Sequence, residues 1–168
     1  MSVRVARDAY LAENGFSVTA YDASWTHVSA FGIPFRIPNT KRRRVAVRLH
    51  DLHHVATGFG TDLAGEGEIS AWELHRGLRP VGWYVTAIIT AGMFLGLVVA
   101  PRRALRAWRA SARRRSLFEL CAASPDVLAT TYERLLAMTV GELRAELGIP
   151  TSGIAAAPPR LHAFAPVT

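Results

Sequence analysis

The order of apolar and polar positions divides this chain into helical stretches with one extended interruption. Residues 3–14 repeat apolar and charged positions at helical spacing, and Gly15 marks the stop. From residue 16 to residue 38 the helical period is lost. β-Branched and aromatic residues gather there, with prolines at 34 and 38, which predicts a small hairpin or irregular arm. Asn39 or Thr40 is placed to cap a helix running through Val45, Val47 and Leu49 into a group of histidines. Gly58 and Gly60 end that helix, and Thr61 is the expected N-cap of the next, which runs to Arg76 before Gly77 and Pro80. Gly65 and Gly67 fall inside this second helix and weaken it by about 1 kcal/mol each relative to alanine. Close approach of another helix is the expected compensation.

Residues 82–100 are nineteen consecutive positions without a charge, and Pro101 opens a basic helix reaching about residue 115. Ser124-Pro125-Asp126 starts a further helix through Tyr132 and Leu136, and Thr139 with Glu142 has the spacing of a capping box ahead of Leu143 and Leu147. Residues 151–168, rich in alanine and proline, read as a disordered tail. The expected fold class is mainly α. Residues 1–150 make a single helical bundle with a two-helix metal site and a small extended N-terminal arm.

Charge changes this picture. The net charge is +7, and Lys41 is the only lysine among the 20 basic residues, an arginine bias of the kind GC-rich bacterial genomes produce. Residues 101–115 hold seven arginines and no acid, and residues 41–44 with Arg48 add five more basic side chains. Such clustering beside apolar sequence points to an anionic surface, and the apolar run favours lipid headgroups over nucleic acid. Arg102, Arg103, Arg106, Arg109 and Arg113, with Leu105 and Trp108, make a basic amphipathic stretch suited to the headgroup layer. Residues 82–100 reach the lower length limit of a membrane span. Gly82, Gly92 and Gly96 nevertheless suit tight helix packing, so a core or partly exposed helix that dips into the bilayer is expected. The lone Cys121 excludes an intrachain disulfide and fits a reducing compartment. The first fourteen residues lack the continuous apolar run of a signal peptide. The expected location is the cytoplasmic face of a membrane, a bacterial inner membrane by the composition, with peripheral attachment.

The segment around residues 48–55 carries the chemistry. On a helix, His50 and His54 are four residues apart and share one face, so their rings can converge on one ion. Asp51 lies about 100° round the helix and can reach the edge of the site. Glu66 follows His54 after eleven intervening residues, and the glycine-marked turn between them can fold its helix back to bring the carboxylate opposite the histidines. Two imidazoles and two carboxylates suit Zn²⁺, Fe²⁺, Mn²⁺ or Co²⁺. A zinc peptidase would carry Glu after the first histidine, where this chain has Asp51. His53 faces differently and reads as a surface residue or a partner to a ligand. Asp62, Glu68, Glu73 and His75 read as solvated, although Glu73 lies seven residues beyond Glu66 on the same helical face.

These residues resemble the ubiquinone-biosynthesis proteins called coenzyme Q protein four, whose signature is His-Asp-x-x-His, eleven residues, then Glu. Here His50-Asp51-Leu52-His53-His54 and Gly65-Glu66 match it without a gap, and two later stretches are also similar: Ala100-Pro101-Arg102, and Tyr132-Glu133-Arg134 leading to Leu143 and Gly148-Ile149. The resemblance spans about residues 40–150. It implies an all-helical, membrane-associated protein in which His50, Asp51, His54 and Glu66 bind one divalent metal. It also implies action on the head group of a prenylated aromatic quinone precursor, by oxidative decarboxylation and hydroxylation at C1 or by scaffolding a biosynthetic complex. The expected partners are that precursor or another isoprenoid lipid and the membrane surface, within a homodimer or a biosynthetic complex. The isoprenoid tail is expected along Trp83, Tyr84, Met93 and Phe94. The segment between residues 115 and 132 is shorter than in the mitochondrial members and the N-terminal arm is unfamiliar, which leaves the lipid or partner open.

Overall fold

The computed structural model describes residues 1–30, 33–112 and 114–155. The chain is mainly helical, as its patterning predicts. Helix α1 (Val3–Glu13) is followed by a 3-10 turn at Val18–Asp22 and an antiparallel hairpin of β1 (Trp25–Ala30) and β2 (Ile33–Pro38). Trp25 sits opposite Pro38 and Ala30 opposite Ile33. Then come α2 (Lys41–Thr57), α3 (Leu63–Arg76), a 3-10 turn at Arg79–Val81, and α4 (Gly82–Val99). Helix α5 (Pro101–Ala110), a 3-10 segment at Leu117–Ala122, α6 (Pro125–Ala137) and α7 (Val140–Leu147) complete the order.

Local chemistry sets most of these boundaries. Ser2 and Thr40 each accept a bond from a backbone N–H of the first turn, and Thr139 and Glu142 form the reciprocal capping box before α7. Gly58 and Gly148 end α2 and α7 in the left-handed conformation, where a side chain would be strained. Two expectations shift. The cap of α3 is Asp62 rather than Thr61, because the Asp62 carboxylate accepts from Gly65 N at 2.7 Å while the Thr61 hydroxyl turns to Asn14. Helix α5 ends at Ala110, a turn before the predicted stop. The buried Ser111 hydroxyl donates to Trp108 O at 2.8 Å, a side-chain bond that competes with the helical ladder. Arg113 and the predicted tail beyond residue 155 lie outside the described residues. The start of that tail is anchored: the amides of Ile154 and Ala155 both donate to Thr57 O at the end of α2.

The core runs from Val3 and Leu49 through Ile69 and Trp72 to Leu135 and Leu143, so every long helix contributes. Its tightest crossing is α3 on α4. A Cβ built on Gly67 would stand 2.3 Å from Gly96 Cα, and one on Gly96 would stand 2.5 Å from Gly67 Cα. A Cβ on Gly65 would meet Gly60 O at 2.1 Å. The two glycines that weaken α3 are therefore the points where it touches the α2–α3 turn on one side and α4 on the other. Glu66 stands between them.

Candidate metal centre

Helix α2 presents His50 and His54 one turn apart, and the tight turn at residues 58–62 folds α3 back so that Glu66 faces them. The Nε2 atoms of the two histidines are 3.1 Å apart. Glu66 Oε1 lies 3.4 Å from His54 Nε2, and Glu66 Oε2 lies 3.6 Å from His50 Nε2. These three side chains can offer ligand atoms all within 4.8 Å of one another, so the group could hold a metal ion. An ion about 2.1 Å from each nitrogen would subtend an N–metal–N angle of roughly 95°, acceptable for octahedral or distorted tetrahedral coordination.

The outer nitrogens of both rings are engaged. His54 Nδ1 donates to Phe59 O at 3.0 Å, and His50 Nδ1 donates to the Glu73 carboxylate at 2.9 and 3.1 Å. Each ring is thereby fixed with its Nε2 edge facing the other and Glu66. Tyr10 of α1 stacks on His54, with ring centroids 5.3 Å apart at 24°. A cavity of about 490 Å³ opens beside it, lined by Tyr10, His54, Phe59, Thr61, Val140 and Arg144 among others.

Asp51 occupies the edge of this arrangement. It is buried, and its Oδ2 accepts from the Tyr21 hydroxyl at 2.5 Å, so the 3-10 turn of the N-terminal arm holds it. The structure thus brings three of the four expected ligands into one group and places the fourth beside them on a tyrosine.

Electrostatics make the cluster anionic. No lysine or arginine pairs with Asp51, Glu66 or Glu73 among the described residues; histidines and Tyr21 are the side chains that bond them. Burial opposes ionisation of Glu66, but the imidazoles of His54 and His50 outweigh it and pull the carboxyl down to about 2. Burial likewise opposes ionisation of Glu73, and His50 and His53 pull that group down to about 2. For His50 burial favours the neutral ring, yet Glu73 and Glu66 prevail and hold it protonated well above the usual histidine range. Burial pushes the Asp51 carboxyl up and the His53 imidazole down. Without a metal, a proton on His50 Nε2 offsets part of the negative charge. A divalent ion bound by the same atoms would displace that proton.

Of the residues read as solvated, Glu68 and Glu73 are buried and Asp62 and His75 half-buried, and His53, read as a surface residue or a partner to a ligand, lies off the surface. Glu73 and His53 are fully buried, with His53 Nδ1 donating to Glu73 Oε1 at 2.7 Å. Glu68 is buried between Arg103 Nη2 at 2.6 Å and Arg106 Nη2 at 3.0 Å. His75 bonds Ser111 and stacks on Trp108 at 4.5 Å. Asp62 caps α3. In the sequence, the seven-residue step from Glu66 to Glu73, which repeats the helical face, is the signal that points to Glu73.

The basic and apolar expectations separate in space. Arg103 and Arg106 are committed to Glu68, whereas Arg102 and Arg109 are exposed on α5. Trp83 and Tyr84 border a shallow pocket of about 360 Å³ with Pro38, Thr40 and Arg42. Met93 packs half-buried against the core, and Phe94 points outward. Along α4, Trp83 (82% exposed), Phe94 (59%) and Val98 (80%) fall on one outward stripe with Ala87 and Ala91. Residues Arg79–Val99 are long and apolar enough to cross a membrane by length and composition, with 22% of their most apolar window buried. No protein-family model matches this chain, and neither a curated protein nor a solved structure does.

Proposed function

We propose that this chain is a membrane-associated divalent-metal protein that acts on the head group of a prenylated aromatic precursor, as its resemblance to the coenzyme Q protein four family implies. The observation that carries this reading is the convergence of His50 Nε2, His54 Nε2 and Glu66 on one point within an anionic cluster. Asp51, steadied by Tyr21, is the fourth ligand or a charge at its edge. A bound divalent ion supplies Lewis-acid attraction for the carboxylate or phenolate of an aromatic acid, or oxidative chemistry if it is iron. The chain's own residues orient and exclude water. Tyr10 and Phe59 wall the cavity beside His54 with flat apolar surface suited to a ring. The outward apolar stripe of α4 and the exposed Arg102 and Arg109 suit acyl or isoprenoid chains and anionic headgroups, as peripheral attachment to a membrane requires.

The test is His54→Ala, with elemental analysis of the purified protein and mass spectrometry of products from a prenylated aromatic acid. Loss of both metal and product, in protein whose circular dichroism stays helical, is expected. Undiminished turnover by metal-free protein ends the enzymatic reading.

A second reading is favoured by a specific observation: the carboxylates around the ligands are already engaged, Glu73 by two histidines and Asp51 by Tyr21. Neither of these carboxylates is then free to act as a general acid or base, which suits a lipid- or quinone-binding scaffold. A scaffold retains biological complementation with Glu66→Gln so long as lipid binding survives; an enzyme does not.

A further inference from the structure

Glu73 is a carboxylate in the protein interior whose side-chain bonds are to two imidazoles. Removing an ionised carboxylate from water costs several kcal/mol in a protein interior unless strong partners compensate, and among the described residues no arginine or lysine does so. The hydrogen-bond directions along this chain of groups are determined by its end. The Leu117 amide can only donate, and it does so to His53 Nε2 at 2.9 Å. His53 therefore carries its proton on Nδ1 and passes it toward Glu73 Oε1 at 2.7 Å. The Trp72 and Phe118 rings pack edge-on against the His53 ring, each with its centroid 5.0 Å away, and hold it in place with these hydrogen bonds. With His53 fixed, the Glu73 carboxylate is fixed, and its remaining capacity accepts from His50 Nδ1. His50 must then hold a proton on Nδ1, which reserves Nε2 for the point shared with His54 and Glu66.

We propose that Glu73 is the positioning residue of the metal centre, braced by His53, and that it sets the tautomer and ring orientation with which His50 binds the ion. This rests on the metal reading given above. Glu73 also places a second full negative charge behind a neutral ligand, which raises the ligand's basicity toward a cation. A glutamine at this position keeps the shape and can still accept from His53. Its NH₂ group then replaces Oε2, 3.1 Å from His50 Nδ1, so a donor opposes the Nδ1 proton, the charge is lost, and the single oxygen must serve both rings.

The experiment compares wild-type protein with Glu73→Gln, using Zn²⁺ titration against a chelator and the visible absorption of the Co²⁺-loaded protein. The expected result is tight binding by wild type and a 10–100-fold loss in Glu73→Gln with an altered Co²⁺ spectrum. Binding within twofold of wild type with an unchanged spectrum overturns the proposal and makes Glu73 a structural group only. A wild-type protein that binds neither ion overturns the metal reading itself, a different outcome from the first. Should Glu73→Gln fail to fold, the imidazole ¹⁵N shifts of metal-loaded wild type decide the matter. His50 must show a protonated Nδ1 and a metal-bound Nε2, and ligation through Nδ1 refutes the role given to Glu73.

Discussion

Two regions of this molecule break the ordinary rule of burial in opposite directions. Between α2 and α3, ionisable side chains are taken out of water: Asp51, His53, His54 and Glu73 are all buried. Along α4, large apolar side chains are left in it, with Trp83, Phe94 and Val98 pointing outward. Each violation has a cost. Buried charge loses hydration, and exposed apolar surface of this extent is uncommon on a monomer unless something covers it. The first region offsets its cost inside the chain, since each of these polar side chains has a named hydrogen-bond partner. The second has no such partner among the described residues. A site that is complete in itself therefore sits beside a surface that is not, and the hinge between the two is the α3–α4 crossing.

That crossing gives the largest expected effect. Gly67→Ala forces a Cβ to within 2.3 Å of Gly96 Cα, where backbone rather than a flexible side chain must move. Overpacking of this kind costs about 3 kcal/mol or more. Urea denaturation of the metal-free protein measures it, and metal affinity should fall alongside because Glu66 is the adjacent residue. A loss of stability under about 1 kcal/mol would mean that α3 and α4 separate easily, and that the two regions are less tied together than the crossing implies.

Next in size is Glu68→Ala. Glu68 joins α3 to Arg103 and Arg106 of α5, so it anchors the basic helix to the helix that carries Glu66. Breaking a fully buried ion pair costs about 3–5 kcal/mol, but both arginines are partly exposed and can recover water. About 1–2 kcal/mol is therefore expected. The substitution also frees Arg106 and leaves Arg103 only Asp62 at 3.8 Å, so binding to anionic vesicles should strengthen while stability falls. If both quantities drop together, Arg103 and Arg106 need Glu68 to face the lipid, and the separation of the two regions is less sharp.

Acid should act on the first region alone. His50 keeps its proton well above the usual histidine range because Glu73 and Glu66 face it, so at neutral pH a metal ion must displace that proton. Glu66, drawn down to about 2, is ionised throughout this window and contributes no proton of its own. The sign follows: metal affinity rises with pH, by about tenfold per unit for one displaced proton, or about 1.4 kcal/mol. Isothermal titration in buffers of different ionisation enthalpy counts the protons released. An affinity that stays flat from pH 6 to pH 8 would contradict the arrangement of His50 between two carboxylates.

What the sequence reveals follows the same division. The Thr40 cap, the Gly58 stop, the capping box at Thr139 and Glu142, and the i, i+4 histidine pair are local features and appear where the spacing puts them, while the α3 cap moves one residue, from Thr61 to Asp62. Burial is decided by what packs against a helix from elsewhere in the chain. Glu68 and Glu73 look like any acids on an amphipathic helix until α5 brings two arginines and α2 two histidines. Nothing in the local sequence marks Tyr10 and Tyr21 for the same reason, since they reach the site from α1 and the arm. The nineteen uncharged residues before Pro101 are plain in the sequence, but hydrophobicity alone does not say which face of a helix its own protein will cover.

The smallest expected effect on stability tests that last point most directly. If the α4 stripe packs against nothing in this chain, Trp83→Ser and Phe94→Ser remove little folded-state contact, and each should leave the denaturation midpoint within about 0.5 kcal/mol of wild type. A core control, Leu49→Ala, should cost about 2–5 kcal/mol by the same measurement. On the proposed membrane reading, the two surface substitutions should instead weaken cosedimentation with anionic lipid vesicles, since they remove apolar area while Arg102 and Arg109 stay exposed. Stability losses above about 1 kcal/mol for the serine variants would show that the stripe is covered by this chain after all. Unchanged vesicle binding would separate the stripe from the lipid and leave the exposed arginines as the attachment. Only small stability changes together with weaker vesicle binding sustain the contrast between a region satisfied from within and a region that requires a partner from outside.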